Sequence, residues 1–168
     1  SWASCIRYHN ETFYVSTFSS TTNKTYIWST KDIEKGPWTR SALDGVYHDM
    51  SLLFDDDGRV YMTSGSKDIK ITELTEDVTA IKSGGVQQTI IPNATKVATD
   101  KLGLSGVIVE AEGSHIQKIN GKYYVLLITW PTGGSRTELC FRSDSLLGPY
   151  EGDVVVNQNG VAQGGIVD

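Results

Sequence analysis

A short hairpin pattern recurs three times along the chain and constrains the fold more than any other feature of the sequence. It reads SCIRYHNETFYVSTF from Ser4, SLLFDDDGRVYMTSG from Ser51 and SHIQKINGKYYVLLI from Ser114. In each copy the serine stands seven residues ahead of the turn position, and the flanking residues alternate as in half-buried strands. Two of the turns contain Asp-Gly or Asn-Gly, which are strong short-range hairpin signals. The chain is therefore predicted to be all-β.

The strands that follow the hairpins recur as well. YIWSTKDIEKGPWTR at 26–40 and LCFRSDSLLGPYEG at 139–152 both end in Gly-Pro followed by an aromatic residue. Each repeated unit then has about four strands, which is the size of one β-propeller blade. The predicted units cover approximately 1–45, 46–108 and 109–160, and a fourth begins at 161–168. A β-sandwich with irregular hairpins is the alternative, but it does not require a serine at the same offset three times.

About three blades and one strand do not close a ring. Propellers typically have about 4 to 8 blades, and an open arc leaves unpaired sheet edges that favour aggregation. We therefore expect the remaining blades to come from the rest of the protein or from another chain.

One position of the repeat brings chemically useful side chains together. Two residues before each serine stand Trp2, Asp49 and Glu112, and the fourth unit has Gln163 in the same place. If the first strand of each hairpin is the innermost strand of its blade, these four residues converge at one end of the central channel. An aromatic ring, two carboxylates and an amide are the composition of a sugar-binding site.

The two carboxylates are predicted to act as a pair. Burial and the like charge of a neighbour raise the pKa of at least one carboxyl group in such a site. We expect Glu112 to hold the proton, because Gly113 lets a substrate approach and the preceding residues are apolar, whereas Asp49 stays ionised. Glycosidases divide two carboxyl groups in this way. The alternative is that both are solvated acids at strand ends, but their recurrence in register favours catalysis.

The composition excludes two classes of partner. A formal net charge of -5 without a basic run offers no electrostatic footprint for nucleic acid or for an anionic membrane surface. No apolar stretch reaches the roughly 18 residues that span a bilayer. The expected partner is an oligo- or polysaccharide. Glycosylation sequons at Asn10, Asn23 and Asn93 stand next to predicted turns and indicate a secreted, extracellular glycoprotein.

Neither a disulfide scaffold nor a cofactor or metal site is predicted. The two cysteines, Cys5 and Cys140, are too few for a scaffold, and whether they pair stays open, with separate buried thiols as the favoured interpretation. The Asp-Asp-Asp run at 55–57 lacks the alternating ligands and distal glutamate of a calcium loop, so we interpret it as a solvated turn.

Around Trp2, Asp49 and Glu112 the sequence resembles glycoside hydrolase family 43, the five-bladed β-propeller glycosidases that include β-xylosidases and α-L-arabinofuranosidases. The resemblance rests on WASCIRYHNETFYV, HDMSLLFDDDGRVYM, EGSHIQKINGKYY and LGPYEG, which match family segments in order and spacing and span almost the whole chain. Two departures are Ser4 and Ser114, which replace prolines of the family motifs, and a third is Gln163, which stands near a position where many members have histidine.

The resemblance implies inverting hydrolysis of xylosyl or arabinofuranosyl linkages in plant cell-wall polysaccharide. Glu112 matches the general acid of the family, and Asp49 matches the aspartate that tunes and orients that acid. Trp2 would form part of the sugar platform, His48 would flank the sugar ring, and Thr132 matches a position that reaches toward substrate.

The general base of the family is an aspartate of its first blade, and no residue of this chain matches it. We therefore expect the 168-residue chain alone to be inactive. A non-catalytic carbohydrate-binding propeller is the alternative function, and a protein-interaction propeller explains Asp49 and Glu112 less well.

Overall fold

The computed structural model describes residues 4–157, and antiparallel strands make up most of the regular secondary structure in this part of the chain. The strands are arranged in three four-stranded sheets that follow one another in sequence. The first sheet contains β1 (Ser4–His9), β2 (Thr12–Ser19), β3 (Lys24–Thr30) and β4 (Thr39–Asp44). The second contains β5 (Ser51–Phe54), β6 (Val60–Ser64), β7 (Ile69–Leu74) and β8 (Gln87–Ile91). The third contains β9 (Val107–Ile119), β10 (Lys122–Pro131), β11 (Thr137–Ser143) and β12 (Glu151–Val156). The all-β prediction is confirmed.

Each of the three repeated hairpins forms the first two strands of one sheet. The turn between β1 and β2 has positive φ at both central residues, Asn10 (46°) and Glu11 (58°), and so does the turn between β9 and β10, at Asn120 (50°) and Gly121 (75°). Positive φ at both positions gives a turn whose twist matches that of the flanking strands. These local preferences set the register of each hairpin, as the pairing of Ser4 with Thr17 illustrates.

The first strands of the three sheets lie against one another. β5 contacts both β1 and β9. Arg7 of β1 donates from Nε to the carbonyl oxygen of Leu52 at 3.0 Å and from a terminal nitrogen to that of Ile116 at 3.4 Å. One guanidinium group thus connects all three sheets. The head positions of β5 and β9 are consequently brought to the same end of the molecule.

Apolar side chains fill the spaces between successive sheets. The first and second sheets enclose Ile27, Leu43, Leu52, Val60, Met62 and Leu74. The second and third sheets enclose Leu53, Tyr61, Ile69, Ile71, Ile116, Val125, Leu127, Leu139 and Phe141. Each sheet is therefore covered on a face by its neighbour, which is how propeller blades bury their apolar surface.

A helix, α1 (Thr95–Leu102), lies between β8 and β9, at the end of the second predicted unit. Ala94 and Ala98 are fully buried against the core between the second and third sheets. The helix ends at Gly103, whose φ of 64° is the left-handed conformation typical of this position. Two helical turns are too short for a helical period to stand out in the sequence. Among residues 4–157 no helix is long and apolar enough to cross a membrane.

The structure also places the cysteines and the sequons. Cys5 lies on β1 and Cys140 on β11, in different sheets, and no disulfide joins them. The acceptor residues Asn10, Asn23 and Asn93 are all exposed and have positive φ. The asparagine side chains are therefore accessible, as glycosylation requires.

A buried carboxylate inside the second sheet was not anticipated from the sequence. The side chain of Glu73 is 1% exposed. It accepts hydrogen bonds from Arg59 Nε at 2.9 Å, from Lys82 Nζ at 2.7 Å and from the backbone N–H of Val86 at 3.1 Å. The hydrogen bond from Arg59 is the main cause that lowers the pKa of Glu73 to about 2, and it outweighs the cost of burying the charge.

Replacing Glu73 by glutamine is expected to destabilise the protein in a pH-dependent way. The folded-state pKa lies below the unfolded one, so the stabilisation is complete above about pH 5 and is lost as pH falls toward about 2. The variant should therefore lose about 3 kcal/mol at pH 7, and this difference should shrink steadily below about pH 5. Urea unfolding at a series of pH values measures it. The exposed Glu76→Gln is the control, and a difference that stayed constant down to about pH 2 would contradict the assignment.

Candidate active site

Three polar side chains meet where the first strands of the second and third sheets begin. His48 Nε2 lies 3.1 Å from Glu112 Oε2 and 3.4 Å from Asp49 Oδ2. One ligand atom from each of the three residues lies within 4.8 Å of the others. The predicted convergence of Asp49 and Glu112 is thus present, although 63 positions separate them in the sequence.

The backbone around Asp49 is unusual. Asp49 precedes β5 by two residues and has a φ of 47°, a left-handed conformation that is uncommon for a residue with a Cβ atom. The carbonyl oxygen of the preceding residue, His48, accepts a hydrogen bond from Gly65 N–H at 2.9 Å. The Asp49 carboxyl group accepts a hydrogen bond from the backbone N–H of Gly113. The chain therefore bends sharply into β5 and turns the carboxyl group toward β9.

An irregularity in β9 directs Glu112. Glu112 lies opposite Ile128 of β10, and the register of the β9–β10 ladder shifts between Leu126 and Ile128. Bulges of this kind redirect a side chain at the end of a ladder, and they are common next to active sites. The Glu112 side chain is 29% exposed, so it remains partly accessible to solvent.

His48 connects the two carboxyl groups and also contacts the first sheet. Its ring lies 5.0 Å from the ring of Phe18 on β2, at an interplanar angle of 52°. The histidine was expected to flank the sugar ring, and at 30% exposure it keeps a surface for that contact. Phe18 was not singled out in the sequence, because one phenylalanine in an alternating strand carries no signal of its own.

The burial of the two carboxyl groups differs from the sequence-based expectation. The Asp49 side chain is 11% exposed and is the drier of the two, against 29% for Glu112. Burial raises the pKa of Asp49, and the nearby Glu112 raises it further, while His48 and the hydrogen bond from Gly113 act in the opposite direction. The apolar residues before Glu112 in the sequence therefore do not make it the more buried of the two acids.

Of the remaining predicted residues, Thr132 lies in the described part of the chain but apart from this cluster. Thr132 lies in the exposed turn after β10, beyond the pairing of Pro131 with Val107, and it is therefore about 15 Å along the strand from Glu112. Trp2 and Gln163 lie outside the described residues.

The cluster of His48, Asp49 and Glu112 could transfer protons or bind a cation. An imidazole within hydrogen-bonding distance of two carboxyl groups can exchange protons with either of them. One nitrogen and two carboxylate oxygens at these separations could also hold a divalent cation, but the hydrogen bonds of the three groups already account for their closeness.

Comparison with known proteins points to one protein family. The sequence profile described as "Glycosyl hydrolases family 43" matches residues 1–163. The structure is similar to that of a bifunctional GH43-CE protein from Bacteroides eggerthii, with a TM-score of 0.89 and 46% identity, covering 99% of this chain and 21% of that one.

Two named relatives agree with this. A Xylosidase/arabinosidase 43B from Humicola insolens is 30% identical over 89% of this chain and 28% of its own length. A Xylosidase/arabinosidase from Butyrivibrio fibrisolvens is 29% identical over 90% of this chain and 30% of its own length. The chain thus spans less than a third of the length of each. Its three sheets are β-propeller blades, and the chain belongs to glycoside hydrolase family 43.

Proposed function

We propose that this chain is the acid-bearing part of a glycoside hydrolase that removes xylosyl or arabinofuranosyl groups from plant cell-wall polysaccharide with inversion. The observation that carries the proposal is the cluster in which His48 lies within hydrogen-bonding distance of both Asp49 and Glu112. A family profile that covers residues 1–163 and relatives named xylosidase/arabinosidase support the substrate class.

Glu112 acts as the general acid in this proposal. Its side chain is 29% exposed, so a bound glycosidic oxygen can reach it, and it donates its proton to the departing oxygen as the glycosidic bond breaks. A water molecule attacks the anomeric carbon from the opposite face and loses its proton to a base from another part of the protein. The acid and the base of an inverting glycosidase stand roughly 6.5–9.5 Å apart, which leaves room for this water.

Asp49 and His48 control the acid. Asp49 is the less exposed of the two carboxyl groups, and it lies 3.4 Å from the same His48 nitrogen that contacts Glu112. His48 holds the Glu112 carboxyl group through its Nε2 atom, so the acid points in a defined direction. Trp2, Thr132 and Gln163 remain candidates for contact with the sugar.

The remaining parts of the proposal concern the whole protein. The other propeller blades, including the one that bears the base, come from the rest of the protein or from another chain. The protein acts outside the cell on polymeric substrate, which the exposed sequons at Asn10, Asn23 and Asn93 support.

Hydrolysis of aryl glycosides by the full-length protein tests the proposal. We expect turnover of aryl β-D-xyloside, aryl α-L-arabinofuranoside or both, with the inverted sugar anomer as the first product detected by proton NMR. The 168-residue chain alone serves as the control and should show no turnover. Saturable sugar binding by the full-length protein without turnover would favour the non-catalytic alternative.

A further inference from the structure

Three buried hydroxyl groups lie close to the acid pair in the fold, and the proposed mechanism does not use them. Ser51 and Thr63 are fully buried, and Ser114 is 1% exposed. Ser51 Oγ lies 3.0 Å from Thr63 Oγ1, which in turn lies 3.2 Å from Ser114 Oγ. Ser51 begins β5, Thr63 is its partner on β6, and Ser114 is on β9. The hydroxyl chain of Ser51, Thr63 and Ser114 therefore joins the second sheet to the third.

Both ends of the hydroxyl chain are hydrogen-bonded to the backbone. The backbone N–H of Ile116 donates to Ser51 Oγ at 3.1 Å. At the other end, Ser114 Oγ lies 3.2 Å from the carbonyl oxygen of Asp49, which can only accept. Ser114 Oγ is placed to donate both to that carbonyl and to Thr63 Oγ1, and its single proton can serve only one of them at a time.

The residue at the end of the hydroxyl chain, Asp49, has a left-handed backbone conformation. Asp49 has a φ of 47°, which residues other than glycine maintain only when their surroundings enforce it. Its carbonyl oxygen is held by Ser114 and its carboxyl group by the N–H of Gly113. Both donors belong to β9, the strand that bears Glu112. The strand β9, which carries Glu112, thus also holds Asp49 in place.

We propose that Ser114 and Thr63 are positioning residues for the acid pair: the hydroxyl chain holds Asp49 in its left-handed conformation and so sets the position of its carboxyl group relative to Glu112. The inference rests on the proposed hydrolase function, because the effect on turnover passes through Asp49 and Glu112. It concerns the arrangement of the two acids, whereas Ser51, Thr63 and Ser114 themselves do not contact the substrate.

The kinetic test uses Ser114→Ala and Thr63→Val in the full-length protein, with Thr63→Ser as the matched variant that keeps the hydroxyl group. We expect Ser114→Ala and Thr63→Val to lower kcat by about tenfold for substrates with poor leaving groups and by less than about threefold for activated aryl glycosides. KM should change little, and Thr63→Ser should restore kcat to within about threefold of the unsubstituted protein. Equal losses on both substrate classes would overturn the inference, because they would indicate a general loss of folded protein.

Two further measurements separate positioning from other effects. If Ser114 acts through Asp49, adding Ser114→Ala to Asp49→Ala should cause no further loss, whereas additive losses would contradict the inference. A crystal structure of Ser114→Ala should show Asp49 outside the left-handed region, and an unchanged Asp49 would refute the positioning role. The crystal structure decides this point even if the unsubstituted protein hydrolyses neither glycoside, an outcome that would reject the proposed function alone.

Discussion

Replacing Glu112 by glutamine in the full-length protein is expected to lower kcat/KM by about 10²- to 10⁴-fold for glycosides with poor leaving groups. Glutamine has nearly the same shape but carries no acidic proton, so the departing oxygen must leave without protonation. Activated aryl glycosides need little protonation, and we expect their hydrolysis to fall by less than about tenfold. Initial rates on the two substrate classes measure the difference.

Glu110→Gln is the matched control for this experiment. Glu110 lies two residues earlier on β9 and accepts a hydrogen bond from Thr95 Oγ1 at 2.6 Å, which a glutamine oxygen can also accept. Its substitution should leave the ratio of rates on the two substrate classes unchanged. If Glu112→Gln slowed both classes equally, Glu112 would not be the proton donor.

The second large effect, on the free energy of unfolding, is expected at Asp55, in the turn after β5. Truncation to alanine should lower the free energy of unfolding by about 3–5 kcal/mol. The Asp55 side chain is 5% exposed and lies 2.5 Å from Lys118 Nζ, while Tyr123 donates its hydroxyl proton to the other carboxylate oxygen at 2.6 Å. Without Asp55, a largely buried ammonium group loses its main partner and a buried phenol loses its acceptor.

The neighbouring Asp56 provides the control for this prediction. Asp56 also pairs with Lys118, at 2.9 Å, but its side chain is 83% exposed. Exposed ion pairs contribute little, so Asp56→Ala should cost less than about 1 kcal/mol. Urea unfolding of the full-length protein, followed by a probe of its β structure, gives both values. Similar losses for the two variants would show that burial of Asp55 does not decide the effect.

The same contacts predict how the Asp55 effect depends on pH. Burial by itself would raise the pKa of Asp55, but the hydrogen bonds from Lys118 and Tyr123 outweigh it, and the pKa lies below its ordinary value. A lowered folded-state pKa gives stability that is present above the unfolded pKa and is lost as pH falls through the folded one. The cost of Asp55→Ala should therefore shrink in acid.

The sequence predicted that Asp55 is solvated, which is wrong, and the reason is physical. Three consecutive aspartates before a glycine are typical of a solvated hairpin turn, and Asp56 and Asp57 are indeed exposed. The first of the three is buried because Lys118 and Tyr123 come from another sheet, 63 and 68 positions away in the chain. No local pattern contains that information.

In the candidate site, too, the sequence predicted one feature and missed another. The serine offset alone predicted that Asp49 and Glu112 share one cleft, because the offset places both at the head of an innermost strand. It did not predict which carboxyl group is drier. That depends on the left-handed φ of Asp49 and on the register shift opposite Glu112, and both arise from contacts between β5, β9 and β10.

Features with a local cause were determined by the sequence by itself: alternating strands, Asn-Gly and Asp-Gly turns, the repeat, and the order of motifs that identifies the family. Each depends on residues within one hairpin, where side-chain period and turn conformation act directly. Only the tertiary structure decided the burial of Asp55, Glu73 and Asp49, the hydroxyl chain between two sheets, and the short helix α1. Burial and hydrogen bonding of a side chain depend on neighbours from distant parts of the chain, and these are defined only when the sheets pack together.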